Sequence, residues 1–185
     1  MFTASQKRKE NIAEYLLYMW QIEDIIRANN FDIEKIKENI INRYDGLNPD
    51  QKKELTEWYE SLIDMMRREG VTEHGHLQIN NNVLSSLAAL HQALIKDPEF
   101  NKYTAEFYNT LPYIVELRSK AGDEKKGEIE TCFNALYGML LMRLQKRDIS
   151  ESTMKAIKEI SHFIAVLSHY FKLDEENKLF KTDKD

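Results

Sequence analysis

The chain has 185 residues, 42% hydrophobic and 31% charged, and its 31 acidic against 26 basic side chains give a formal net charge of −5. This composition is typical of a globular protein and excludes a disordered one, and the length fits a single domain. The acidic excess argues against nucleic acid as the main partner, because phosphate binding requires a basic surface or stripe.

Neither a disulfide nor a membrane anchor is expected. Cys132 is the only cysteine, so no internal disulfide can form, which is typical of a protein in a reducing compartment. The opening M-F-T-A-S-Q-K-R-K-E has no apolar stretch ahead of its charges, and no run of about 18 apolar residues follows. We therefore expect a cytoplasmic protein that does not bind membranes.

Long segments with the helical repeat of apolar residues predict an all-α fold. Six glycines and three prolines separate these segments, and no segment alternates as a strand would. The connections are short, and no repeat of 34 or 40 residues is visible. We predict a single-domain antiparallel helical bundle of six to seven helices over residues 1–173, followed by a charged, disordered tail over residues 174–185.

The first predicted helix runs from about Ser5 to Asn29 and is the most apolar and aromatic stretch of the chain. Ile12, Leu16, Met19 and Ile26 share one face at about 100° per residue, and Glu23 falls in the middle of that face. The pattern makes this helix a core element that carries one misplaced carboxylate.

Helix start and stop signals divide the remainder of the chain. Asp32 is a predicted N-cap, Asn48-Pro49 with Gln51 predicts a capping box, and Gly70 is a predicted C-terminal glycine. Residues 70–82 are ambiguous between helix and loop, because Gly75 and three consecutive asparagines interrupt a seven-residue spacing. The fourth helix is predicted to end at Lys96, and the fifth to start at Asp97-Pro98. The sixth is predicted to run from about Asp123 to Arg147, and the seventh from Ser150 or Ser152 to about Leu173.

Several polar residues lie on apolar helix faces. Glu23 is one, His91 lies among leucines, and Arg143 lies beside leucines and a methionine. A buried carboxylate needs a partner; Arg27 is the local candidate, and Arg143 or His91 the long-range ones. We favour an internal polar network that fixes helix register. The alternative is a ligand-binding or catalytic pocket built from Glu23, Arg27, His91 and Arg143.

Metal ligation is a further alternative. Glu73 and His76 have the Glu-x-x-His spacing of di-iron bundles, and His74 lies between them, so Glu73, His74 and His76 form a candidate metal site. The second such spacing, Glu159 and His162, falls opposite the apolar face of its helix and beside lysines, which disfavours an iron centre. We predict no cofactor.

The run E-N-I-A-E-Y-L-L-Y-M-W-Q-I-E-D-I-I-R-A and the shorter G-H-L-Q-I-N resemble an all-helical bacterial family known only as a domain of unknown function. The resemblance extends through the predicted helices and ends before the tail. It implies a cytoplasmic bacterial protein with a helical fold. It supplies no activity, cofactor or catalytic residue for any position of this chain.

Three hypotheses for function remain. The first is a non-catalytic helical protein that acts through a protein partner or a homo-oligomer, because no catalytic pattern occurs while aromatic residues and seven methionines are plentiful. The second is a small-molecule-binding or enzymatic bundle with a polar pocket around Glu23 and His91. The third is a metal-binding bundle that uses Glu73 and His76.

Overall fold

The computed structural model describes residues 2–120 and 126–180 of the chain, and over these residues the fold is all-α, as predicted. These parts contain eight α-helices, two short 3-10 helices and no strand. The α-helices are α1 (Phe2–Glu10), α2 (Ile12–Ala28), α3 (Ile33–Asn39), α4 (Pro49–Arg68), α5 (Gln78–Lys96), α6 (Asn101–Lys120), α7 (Glu128–Leu144) and α8 (Glu151–Glu175); the 3-10 helices are Ile41–Arg43 and Pro98–Phe100.

The predicted first helix is two helices, which corrects the expectation of one from Ser5 to Asn29. The helix breaks at Asn11, whose side-chain oxygen accepts a hydrogen bond from the N–H of Ala13 at 3.0 Å. An asparagine at this position satisfies one of the N–H groups that a new helix leaves open. The periodicity on both sides of Asn11 is helical, so the pattern alone does not reveal the break.

The predicted caps at Asp32 and Asn48 are confirmed. Asp32 accepts from the first turn of α3, and Asn48 and Gln51 form a reciprocal capping box at the start of α4. Ser150 caps α8 by accepting from the N–H of Thr153. Gly70 follows α4 with φ of +71°, a left-handed conformation that glycine adopts without a steric cost.

The segment after Gly70 is a loop, and helix α5 begins only at Gln78. The predicted start of the sixth helix at Asp123 lies outside the described residues; α7 begins at Glu128 and ends at Leu144, three residues before Arg147. Helix α8 continues two residues past Leu173. Helix ends are where sequence patterns are least specific, because the last turns bury few side chains.

The chain folds into two compact units, of which the first comprises residues 2–10 and 14–82. Its core is a single apolar cluster, and α3 packs against α4 beside it. The buried members of the cluster are Ala4, Met19, Ile22, Ile26, Ile36, Ile41, Tyr59, Leu62, Ile63, Met66 and Leu77. Three turns of α2 contribute to this cluster, as its apolar stripe predicts.

The second unit comprises residues 11–13 together with 83–120 and 126–180. Helices α6 and α8 pack against each other and α7 contacts both. Rings from α5, α6 and α8 meet in its core. There His91 and Phe163 contact each other and both contact Tyr103 and Phe107, with centroids 4.7–5.8 Å apart. Cys132 is buried there, and burial raises the pKa of its thiol to about 12.

The predictions of one domain over residues 1–173 and of a disordered tail over residues 174–185 stay predictions. Of that tail, residues 181–185 lie outside the described part, whereas Glu175 ends α8 and the ring of Phe180 lies 5.6 Å from that of Phe100. None of the helices in the described segments is long and apolar enough to cross a membrane.

Candidate functional site

The most polar buried point of the first unit is the carboxylate of Glu23. The side chain has no solvent exposure. Its Oε2 lies 2.6 Å from Nδ1 of His76, and its Oε1 accepts hydrogen bonds from the N–H of Leu77 at 2.9 Å and from Nδ2 of Asn80 at 2.7 Å. Three donors therefore satisfy a carboxylate that would otherwise be stranded in an apolar core.

The position of Glu23 beside the start of α5 explains this arrangement. The carbonyl of Leu77 accepts the first hydrogen bonds of α5, from the N–H groups of Asn80 and Asn81. A helix N-terminus carries partial positive charge and favours a carboxylate. Glu23 thus caps the N-terminus of α5, although the two lie more than 50 residues apart in sequence. It also anchors the loop that precedes α5.

Arg27 lies one turn beyond Glu23 on α2, and its side chain binds backbone carbonyl groups of the same loop. Its guanidinium donates to the carbonyl oxygens of Val71 and Gly75 and to Oδ1 of Asp24. Neighbouring positions of α2 therefore fix the loop at both ends, Arg27 through carbonyl groups and Glu23 through N–H groups.

The imidazole of His76 lies flat on the indole of Trp20, with centroids 4.1 Å apart and planes inclined by 9°. Trp20 is buried, whereas the His76 side chain keeps 27% of its surface exposed. The ring is consequently held on one face by stacking and at Nδ1 by the Glu23 carboxylate, while part of the side chain remains exposed.

A histidine oriented in this way has a defined chemistry. Because the Glu23 carboxylate accepts at Nδ1, the proton of the neutral ring lies on Nδ1, and Nε2 presents a lone pair. Among the described residues no protein group bonds to Nε2. A carboxylate–histidine pair with a free Nε2 is able to accept a hydrogen bond, take up a proton or ligate a metal ion.

The other members of the predicted pocket have separate partners. His91 is buried in the second unit, where its Nδ1 lies 2.7 Å from the hydroxyl of Tyr103. Arg143 is exposed near the end of α7. The hydrogen bonds of Glu23 run to His76, Leu77 and Asn80 rather than to Arg27, His91 or Arg143, so the structure brings only Glu23 and Arg27 to one loop.

The candidate metal residues also differ in their surroundings. Glu73 and His74 are exposed in the loop before α5, while His76 is half-buried and bonded to Glu23. In the described residues no group of three or more His, Cys, Asp and Glu side chains is placed to hold a metal ion. Within residues 73–76, the Nε2 lone pair of His76 is therefore the one potential metal ligand that other side chains hold in a fixed orientation.

Sequence reasoning identifies Glu23 and His76 but does not join them, and it misses Asn80. The composition of Asn80-Asn81-Asn82 indicates only a loop or a cap. The sequence does contain a signal for the partners of Glu23. A buried carboxylate requires hydrogen-bond donors, and G-H-L-Q-I-N supplies a histidine, free N–H groups and amides at a helix start. Their separation by 53 to 57 residues leaves no local pattern to connect them.

The chain belongs to a family described as a domain of unknown function (DUF4924), which matches residues 1–178. Neither a curated protein nor a solved structure matches the chain. The family supports the all-helical resemblance drawn from α2 and the loop before α5, and it assigns no activity.

Proposed function

We propose that this protein is a non-catalytic helical protein that acts through protein–protein contact, and that its partner is a second copy of the same chain. The observation that carries the proposal is the apolar surface on both sides of the loop that joins α7 to α8. Leu144 on α7 is 67% exposed and Met154 on α8 is 47% exposed.

Helix α7 supports this proposal by its composition. Its sequence, which is apolar on most of the helix circumference, is E-I-E-T-C-F-N-A-L-Y-G-M-L-L-M-R-L. Helices of this composition are ordinarily buried on all sides. Yet its C-terminal half is only half-buried at Leu136, Leu140, Leu141 and Met142. Exposed and half-buried apolar side chains on one helix are typical of an interface, and the commonest closed assembly is a two-fold dimer that uses the same surface on both copies.

Size-exclusion chromatography with light scattering tests the proposal. Leu144→Glu places a charge in the apolar patch, and we expect it to abolish association, because burying an unpaired carboxylate at an interface is strongly unfavourable. Tyr108→Glu is the matched control, since Tyr108 is similarly exposed, at 63%, but lies on α6. Loss of the dimer in Tyr108→Glu and not in Leu144→Glu would refute the proposed surface.

The proposed setting is the cytoplasm of a bacterium, with neither nucleic acid nor a membrane as the partner. The single buried thiol of Cys132 and the acidic balance of the chain support this setting. Cell fractionation followed by immunodetection tests it, and recovery of the protein in a membrane pellet would contradict it.

A second candidate function is small-molecule binding or catalysis at His76, favoured by its orientation on Glu23 and Trp20. The free Nε2 would accept a hydrogen bond or a proton from a ligand that carries a hydroxyl or an ammonium group. ¹⁵N spectra of the imidazole, recorded during titration with small hydroxyl- and ammonium-bearing fragments, test this function. His76→Asn is the control, and a Nε2 resonance that no fragment shifts would argue against it.

A further inference from the structure

A pocket of about 190 Å³ lies within the second unit, between α5 and the start of α7, and it shares no residue with the two surfaces described above. Ala88, His91 and Gln92 line it from α5, and Gly127, Glu128 and Ile129 line it from α7. Its lining is mainly apolar. An apolar cavity of about 150 Å³ accommodates a benzene molecule, so the size suits a ligand with one small ring or a short chain.

His91 is one of the residues that line this pocket, and it carries an unsatisfied polar atom. The side chain is 1% exposed, and its Nε2 is buried without a hydrogen-bond partner in the described protein. On the other edge of the ring, Nδ1 lies 2.7 Å from the hydroxyl of Tyr103, which is itself buried. In the described part of the chain the Tyr103 hydroxyl has no other hydrogen-bond acceptor, so we assign it as the donor to Nδ1, which places the ring proton on Nε2.

The His91 ring is a neutral hydrogen-bond donor. Burial lowers the pKa of His91, although the charge of Glu128 opposes this effect. A neutral imidazole with its proton on Nε2 favours a ligand that supplies a hydrogen-bond acceptor, because a buried donor without an acceptor is unfavourable.

The start of α7 adds a second set of donors. Gly127 is the N-cap of this 17-residue helix, and because it has no side chain it makes no capping hydrogen bond to the first N–H groups. Open N–H groups at a helix N-terminus favour an anion. The pocket thus combines the open helix terminus with the orphaned Nε2 of His91.

Two carboxylates near the terminus limit the charge of the ligand. Glu128 lies 3.3 Å from Arg118 and Glu130 lies 3.7 Å from Lys126, so both are paired with cations. These ion pairs reduce the repulsion between the two carboxylates and an anionic ligand, and the repulsion that remains is greater for a dianion such as phosphate than for a monoanion.

We propose that this pocket binds a small monocarboxylate with an apolar body. The carboxylate accepts from His91 Nε2 and from the N–H groups at the start of α7, and the apolar body lies against Leu84 and Ala88. This site is independent of the apolar surface near Leu144 and of His76.

NMR titration with benzoate tests the proposal, with benzamide and inorganic phosphate as comparison probes. We expect benzoate to shift the amides of Glu128, Ile129 and Glu130 and the His91 ring resonances in a saturable way. Benzamide, which lacks the charge, should bind at least about fivefold more weakly, and phosphate should give no saturable shift. Benzamide or phosphate binding as tightly as benzoate would overturn the assignment, as would the absence of any saturable shift with benzoate.

Two variants separate the pocket from surface binding. Ala88→Leu fills the pocket and should weaken benzoate binding by about tenfold or more, whereas Ala89→Leu, on the exposed side of α5, should leave it within about twofold. His91→Asn keeps a polar group near Tyr103 but removes Nε2, and it should also weaken binding while circular dichroism shows the helices intact. Equal affinity in Ala88→Leu and Ala89→Leu would refute the site.

Discussion

At Glu23 a fully buried carboxylate accepts hydrogen bonds from an imidazole, a backbone N–H and an amide. The helical pattern identifies the residue, because an acid in the middle of an apolar stripe is conspicuous. Its partners are not predictable, since Arg27 is the nearest cation in sequence but donates to the loop carbonyls instead. Which donor reaches a buried acid is decided by tertiary packing, and local spacing carries no information about it.

Glu23→Gln should destabilise the protein by about 1–3 kcal/mol, because the amide replaces one acceptor oxygen by a donor that faces other donors. Urea unfolding followed by circular dichroism measures the change in the free energy of unfolding. Asp64→Asn serves as control, since Asp64 forms an exposed ion pair with Arg68, and it should cost less than about 1 kcal/mol. Equal stability of Glu23→Gln and the unmodified chain would contradict the role of the three hydrogen bonds.

Because His91 is buried, we expect the protein to lose stability in mild acid. Burial lowers its pKa below the ordinary value of 6.5, so between 6.5 and the folded pKa the unfolded chain binds a proton that the folded chain does not. The free energy of unfolding therefore falls as the pH drops through this window, by up to about 1.4 kcal/mol per pH unit.

Urea unfolding at pH values from about 7.5 down to about 5.0, a range that spans the ordinary pKa of histidine, checks this prediction against His91→Asn, which has no group that titrates there. The difference in stability between the two chains should shrink as the pH falls. Parallel stability curves over the whole range would show that His91 does not titrate differently in the folded state.

At the scale of the helices, start signals predict the structure better than helix lengths do. Asp32, Asn48 and Ser150 cap the helices that their side chains indicate, because capping depends on a few neighbouring residues. The break at Asn11 and the loop before α5 depend on distant contacts or on competition between adjacent helices. Glu23, for instance, bonds the N–H of Leu77 and so helps to end the loop where α5 begins.

Gly70 provides a test of the end of α4. Gly70→Ala should destabilise the protein by about 1 kcal/mol, because φ of +71° is strained for a residue with a Cβ even though nothing lies within 4 Å of that position. Gly46→Ala is the matched control, since that site is equally open but its φ is not positive. Thermal unfolding measures both, and equal melting temperatures for the two variants would contradict the left-handed conformation at Gly70.

At the scale of the whole molecule, composition and periodicity are sufficient for the all-α class. Membership of the family rests instead on the similarity of residues 1–178 to it. The apolar surface near Leu144 is not foreseeable from them. In sequence, α7 is an apolar segment like any core helix, and only the structure distinguishes the buried Phe133 from the exposed Leu144. Periodicity shows which residues share a face, but not whether that face is covered.

Sedimentation equilibrium over a range of protein concentrations tests self-association most directly. We predict an average mass that rises with concentration from the monomer value of 21.9 kDa towards twice that value. Leu144→Glu should remain at the monomer mass throughout. A constant mass of 21.9 kDa for the unmodified chain at every concentration would contradict the proposal that a second copy covers α7 and the start of α8.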